Sequence, residues 1–126
     1  MNEESQCKIL PNGNKQWWLN GELHRFEGPA IEWTDGHKEW WHNGKPHRTD
    51  GPAIEWADGD KEWRFEGKLH RTNGPAVEYV DNDPSWYFNG RWLGFGDVGF
   101  WALWELLTPE ERSDWKLLQW APWVKL

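Results

Sequence analysis

One cysteine, Cys7, stands alone in the chain, so no internal disulfide can staple it, which fits a reducing compartment. Long apolar runs are missing too. No stretch approaches the roughly 18 residues that a membrane-spanning helix needs, and the acidic start MNEESQ is the opposite of a basic, apolar export signal. Basic residues are scarce beside acidic ones, 14 Lys and Arg against 21 Asp and Glu. The formal net charge of −7 argues against a general grip on nucleic-acid backbones. It leaves room for a local basic patch, or for an acidic surface aimed at a basic partner. These absences predict a soluble, cytoplasmic protein with no membrane contact and with nucleic acid low among its partners. Apolar residues make up only 37% of the 126, yet 14 residues are tryptophan, so burial must come in large aromatic units. The length suits one domain spanning residues 1–126.

What the chain does have is a repeat. Residues 36–58 read GHKEWWHNGKPHRTDGPAIEWAD, and the pattern recurs every 23 residues from Gly13, Gly36 and Gly59, with a degenerate copy from Asn82. A period of this length means one small supersecondary unit used several times. CKILPNG from Cys7 lines up with AIEWTDG from Ala30, so the array starts in mid-unit, and it closes on the half-unit NDPSWYFNGRW. Asp35-Gly36, Asp58-Gly59, Asn20-Gly21 and Asn43-Gly44 supply the positive φ angles of hairpin turns, and the Trp-, Ile-, Tyr- and Phe-rich segments between them read as strands. Each unit should hold one strand near KEWWH, a loop through NGKPHRTDGP and one strand near AIEW, with Pro29, Pro52 and Pro75 at strand entry. The predicted fold is mostly β with C-terminal helices. An antiparallel meander sheet of about eight short strands fills residues 7–94, and two helices in 95–126 cover a sheet face or cap the array. In the first helix Asp97 is the expected cap and Phe100, Leu103, Trp104 and Leu107 form the apolar stripe. Thr108, Pro109 and Glu111 signal the second, which carries Trp115, Leu117, Leu118 and Trp120 and should end at Pro122.

The unit W-x-N-G-x-x-H-R-x-x-G-P-A-[IV]-E-[WY]-x-D-G resembles the MORN repeat, a 23-residue β-hairpin unit stacked into a twisted sheet, over about two thirds of the chain. It departs from that MORN-like pattern at Arg25, Arg48 and Arg71, where glycine is preferred, and in having Gly-Pro-Ala for a lone glycine. In this it is more similar to HRxxGPA-type repeat proteins of tailed bacteriophages and large DNA viruses. The resemblance implies a stacked-hairpin sheet. It also implies scaffold roles, in protein interaction or at membranes, with one variant branch resembling bacterial antitoxins.

Three ladders are candidates for function. His24, His47 and His70 recur with Arg25, Arg48 and Arg71. Equivalent positions two strands apart lie roughly 10 Å from each other, whereas zinc ligands must sit within about 2.1 Å of one ion, so no metal is expected. These residues should bond their own repeat's loop or pair with Glu32, Glu55 and Glu78, and the arginines form a row open to anionic ligands. Trp17, Trp40, Trp63 and Trp86 are constant among the copies and are assigned to a core beneath the helices, with Ile31, Trp33, Ile54, Trp56, Val77 and Tyr79. Trp18, Trp41, Arg64 and Tyr87 vary and point the other way, a mixed aromatic and charged surface of the kind that forms interface hot spots. Pro46, against Leu23 and Leu69, is a further departure between copies.

Catalysis is not expected. Carboxylates such as Glu39 and Glu32 recur as Glu62 and Glu55, whereas a catalytic pair is unique. Ser5, Ser85 and Ser113 sit in no nucleophile motif, and the glycines are turn glycines rather than a phosphate cradle. The chain therefore reads as a protein-interaction module without cofactor, and its resemblance to phage repeat proteins implies an accessory or counter-defence role occupying a host or viral protein. The alternatives are a nucleotide- or glycan-binding protein and a structural assembly component.

Overall fold

In the second and third 23-residue units the first expected strand is broken in two, and an extra strand forms within the expected loop. In the first unit that strand stays whole as Lys15–Leu19, and the loop again supplies an extra strand. The computed structural model describes residues 4–120; residues 1–3 and 121–126, Pro122 among them, lie outside the described residues. After β1 (Gln6–Ile9), the first unit supplies β2 (Lys15–Leu19), β3 (Glu22–Leu23) and β4 (Ile31–Glu32). The second supplies β5 (Lys38–Glu39), β6 (Trp41–His42), β7 (Lys45–Pro46) and β8 (Ile54–Glu55). The third supplies β9 (Lys61–Glu62), β10 (Arg64–Phe65), β11 (Lys68–Leu69) and β12 (Val77–Glu78), and β13 (Ser85–Phe88) and β14 (Arg91–Phe95) close the array. One sheet runs β1-β2-β4-β5-β8-β9-β12-β13-β14, with β3 paired to β2, while β6-β7 and β10-β11 form separate two-stranded ladders. The expected meander is there, with ten strands in its sheet in place of about eight, and the two small ladders bring the described residues to fourteen strands.

The extra strands have a local cause. KEWWH is not one strand, because the chain turns a corner at its first tryptophan. The Trp40 N–H donates to the Ala53 carbonyl at 2.7 Å in the main sheet, while the Trp40 carbonyl accepts from the His47 N–H at 2.9 Å in the small hairpin. Trp17 and Trp63 do the same with Ala30 and His24, and with Ala76 and His70. The small hairpins then stack in series: the turn glycines Gly44, Gly67 and Gly90 donate N–H to the carbonyls of Leu23, Pro46 and Leu69. At the start of the array, Lys8 pairs with Gln16 and Ile9 with Lys15, the register of Ile31 with Glu39 and Glu32 with Lys38, so β1 is the second half of a unit.

The two kinds of turn differ. At Asn43 and Gly44 both φ angles are positive, 49° and 77°, as a type I′ turn demands. The Asp-Gly turns place only the glycine there, Gly36 at φ 102°, and close with the Gly36 N–H on the Trp33 carbonyl and the Trp33 N–H on the His37 carbonyl. Such a longer turn leaves Trp33 at the end of the ladder rather than within it.

The HRxxGPA stretch is the stitching between units. His24, His47 and His70 use Nδ1 to accept the turn N–H of Asn43, Glu66 and Asn89, each in the next unit and not in their own loop. The guanidinium carbons of Arg25, Arg48 and Arg71 lie over Trp17, Trp40 and Trp63, at 3.8, 3.9 and 3.7 Å from the ring centres, and the guanidinium groups donate to the carbonyls of Pro29, Pro52 and Pro75. Such cation–π stacks contribute about 0.5–2 kcal/mol each. The motif's glycine follows from this packing, since a Cβ at Gly51 would stand 2.9 Å from the Arg48 guanidinium carbon. Ala30, Ala53 and Ala76 are fully buried beneath it.

Only the last constant tryptophan is in a helix-covered core. In the fourth copy Gly94 takes the arginine's place, and Trp86 packs instead with Phe100, Leu103, Leu107 and Leu117. Gly99 approaches the Trp86 indole so closely that no side chain would fit. The helices α1 (Gly96–Leu106), α2 (Pro109–Arg112) and α3 (Trp115–Leu118) therefore cap one end of the sheet and leave Trp17, Trp40 and Trp63 to their arginines. The second expected helix splits because the Asp114 side chain accepts the Lys116 N–H and starts a new turn. The Thr108–Glu111 capping box forms at α2, whereas α1 begins after Phe95 with Asp97 inside its first turn rather than at its cap.

Two outcomes follow from the stitching. Glu66 adopts φ 49° where the other copies have Asn20, Asn43 and Asn89, so Glu66→Asn should raise stability by about 0.5–1 kcal/mol in chemical denaturation. Burial, with His42 adding to it for His47, holds the pKa of His47 and His70 below the ordinary histidine value. A lowered folded-state pKa gives stability that is present above the unfolded value, about 6.5, and is lost as pH falls. The melting temperature should drop between pH 7.5 and 5.5, and His47→Asn with His70→Asn, which keep an acceptor, should flatten that drop.

Candidate functional site: an aromatic and acidic sheet face

Strand alternation divides the side chains between two faces. Glu32, Glu55 and Glu78 lie on the arginine side, where Glu55 and Glu78 pair with Arg48 at 3.1 Å and Arg71 at 2.6 Å. Arg48 also bonds Asp50, and Arg71 bonds Asn73, so the guanidinium groups of these two are engaged by their own loops. Burial lowers the Arg71 pKa and Glu78 opposes that shift. The row of arginines is thus largely internal structure.

The opposite face carries Gln16, Ile31, Glu39, Ile54, Glu62, Val77 and Ser85, aligned by direct pairing of Ile31 with Gln16 and Glu39, of Ile54 with Glu39 and Glu62, and of Val77 with Glu62 and Ser85. Ile54 and Val77 are buried there. The residue two places on bonds each polar group in turn: Trp18 Nε1 donates to Gln16, Trp41 Nε1 to Glu39 and Arg64 Nε to Glu62, at 3.0, 2.8 and 2.9 Å. In the fourth copy Tyr87 is half-buried opposite Trp92, whose indole donates to Ser85 at 2.9 Å. Trp18, Trp41 and Arg64 are therefore held in fixed positions by their own strand neighbours.

Trp33, Trp56 and Tyr79, assigned to the core from the sequence, stand exposed on this same face at 47%, 46% and 36%. The Asp-Gly turn geometry places them at the ladder's margin. Trp56 Nε1 donates to Glu62 at 3.1 Å. Burial and then Tyr87, Glu62 and Asp60 raise the Tyr79 pKa, which keeps the phenol neutral. Between the two indoles sits His37, its ring 5.2 Å from Trp33 and 4.5 Å from Trp56, with Nε2 2.6 Å from Glu39. At the equivalent positions, Asn14 and Asp60 instead accept the N–H of Thr34 and Val80 from the following turn. His37 thus leaves the stitching pattern to wedge two tryptophans in place. Exposed Asp35, Asp58 and Asp81 follow the three rings along the turn edge.

Sequence reasoning missed Trp33, Trp56 and Tyr79 as surface residues and His37 as the buried wedge between the two indoles, though the unequal set Asn14, His37, Asp60 was a signal within the repeat. Among the described residues no three His, Cys, Asp or Glu side chains come together as a metal site requires, and no helix is long and apolar enough to cross a membrane. No family model matches the chain, and neither a curated protein nor a solved structure matches it.

Proposed function

We propose that the chain is a protein-interaction module whose docking surface is the row Trp33, Trp56 and Tyr79 with its acidic edge Asp35, Asp58 and Asp81. The observation that carries this is the exposure of three large rings at equivalent positions of successive units, the first two wedged by His37 and the second tethered to Glu62 by a hydrogen bond. Rings already fixed before contact lose little freedom on binding, which favours affinity, and Trp and Tyr are the side chains most enriched at interface hot spots. Trp18, Trp41 and Arg64 extend the surface along the strands. The aspartates suit a partner patch that is apolar at its centre and rimmed by Lys and Arg, and they would speed encounter at low salt. The similarity to phage HRxxGPA repeats makes a host cytoplasmic protein the first partner to test.

Affinity capture from a bacterial lysate, repeated with a Trp33→Ser and Trp56→Ser variant, tests the reading. The variant should lose the captured partner, with binding at least 30-fold weaker, about 2 kcal/mol, while its circular dichroism stays that of the parent. Asp35→Asn with Asp58→Asn should slow association and flatten its salt dependence. Equal capture by parent and tryptophan variant would exclude this face.

A further inference from the structure

On the arginine side, successive repeat loops are separated by grooves. The one between the first and second loops encloses about 550 Å³, within the range of small-molecule sites, roughly 300–1,000 Å³. Its walls are Arg25, Phe26 and Glu27 from one unit and Trp40, His42, His47, Arg48, Thr49 and Asp50 from the next. What sets it apart is which polar groups remain available.

Arg48 and Arg71 each bond an acceptor two residues on, Asp50 and Asn73, and a glutamate seven residues on. Arg25 does neither: among the described residues its guanidinium makes one hydrogen bond, from Nη1 to the Pro29 carbonyl, and Nε and Nη2 make none. His42 occupies the position of Phe65 and Phe88. Its ring packs against His24, Phe26 and His47, at 4.4, 5.5 and 5.9 Å, and neither of its nitrogens has a hydrogen bond among the described residues. His47 commits Nδ1 to Glu66, which puts its proton on Nε2. Phe26, where the other loops have Thr49 and Thr72, is 70% exposed and offers a flat apolar face. Three departures between repeats therefore fall in one groove, and together they supply donors for an oxyanion beside a surface on which a ring can stack. Asp50 is neutralised by Arg48 at 2.9 Å, and Glu27, exposed at the margin, is the one opposing charge on the walls.

We propose that this groove binds a phosphorylated small molecule that carries a planar ring, a nucleoside monophosphate being the simplest case. The phosphate meets Arg25 and His42, with His47 Nε2–H as a third donor, and Arg's planar fork suits its oxygens. The ring stacks on Phe26. The site lies on the sheet side opposite the tryptophan–aspartate surface, so it neither requires nor excludes the protein-binding reading.

The test is titration of the full chain with the four common nucleoside monophosphates, the matching nucleosides and inorganic phosphate, followed by calorimetry and tryptophan fluorescence. At least one nucleotide should bind saturably, and at least 10-fold more tightly than its nucleoside and than inorganic phosphate. His42→Phe installs the residue of the third and fourth copies, so it should keep the melting temperature while weakening that nucleotide at least 10-fold. Arg25→Gln should weaken it too. Absence of saturable nucleotide binding, or equal binding by His42→Phe, would overturn the proposal. A nucleoside or inorganic phosphate that binds as tightly as the nucleotide would overturn it equally.

Discussion

A tryptophan at the corner of each unit serves two hydrogen-bonded layers at once. Its N–H belongs to the main sheet, its carbonyl to a small hairpin, and its ring is the platform on which the unit's arginine lies. The arginine then fixes the loop through the proline carbonyl, and the neighbouring histidine reaches forward to the next turn. Because the ladders of the middle units are only two residues long, side chains hold the stack as much as backbone pairing does. A sheet built this way needs no continuous aliphatic core, which is how a chain with 14 tryptophans and 37% apolar residues folds. The aromatic column His42, His47, Phe65, His70 and Phe88 continues the packing from unit to unit, with ring centres 4.6–6.4 Å apart.

The end of the array shows the same constraint from the other side. With Gly94 at the arginine's position, Trp86 has no cation to cover it, and α1 and α3 bring Phe100, Leu103 and Leu117 to that ring. The helices do for the last unit what the arginine does for the others. That is why they sit at one end and not over the sheet.

Period, turn dipeptides and helix signals made the fold class legible, because each rests on local backbone chemistry. The corner at Trp17, Trp40 and Trp63 was hidden, since a double role in two ladders leaves the same residue pattern as a longer strand. The faces were mixed for a related reason: Trp33 and Trp56 share alternation with Ile31 and Ile54, but the glycine bulge of the Asp-Gly turn puts them past the end of the ladder, where they emerge. Constancy among copies marked Arg48 and His47 as a building rule. The informative positions were those that break it, and His37, His42 and Phe26 break it as clearly as Trp41 and Arg64 do. Their consequences depend on which neighbours the register supplies, and that needs the three-dimensional arrangement.

One histidine per unit, acting as an acceptor through Nδ1, joins each repeat to the next turn. Nitrogen-15 NMR of the imidazole rings tests it directly. His24, His47 and His70 should each show the tautomer protonated at Nε2, with through-hydrogen-bond coupling from the amides of Asn43, Glu66 and Asn89 to Nδ1. Rings protonated at Nδ1, or amides of those three residues that exchange as freely as solvent-exposed turns, would contradict it.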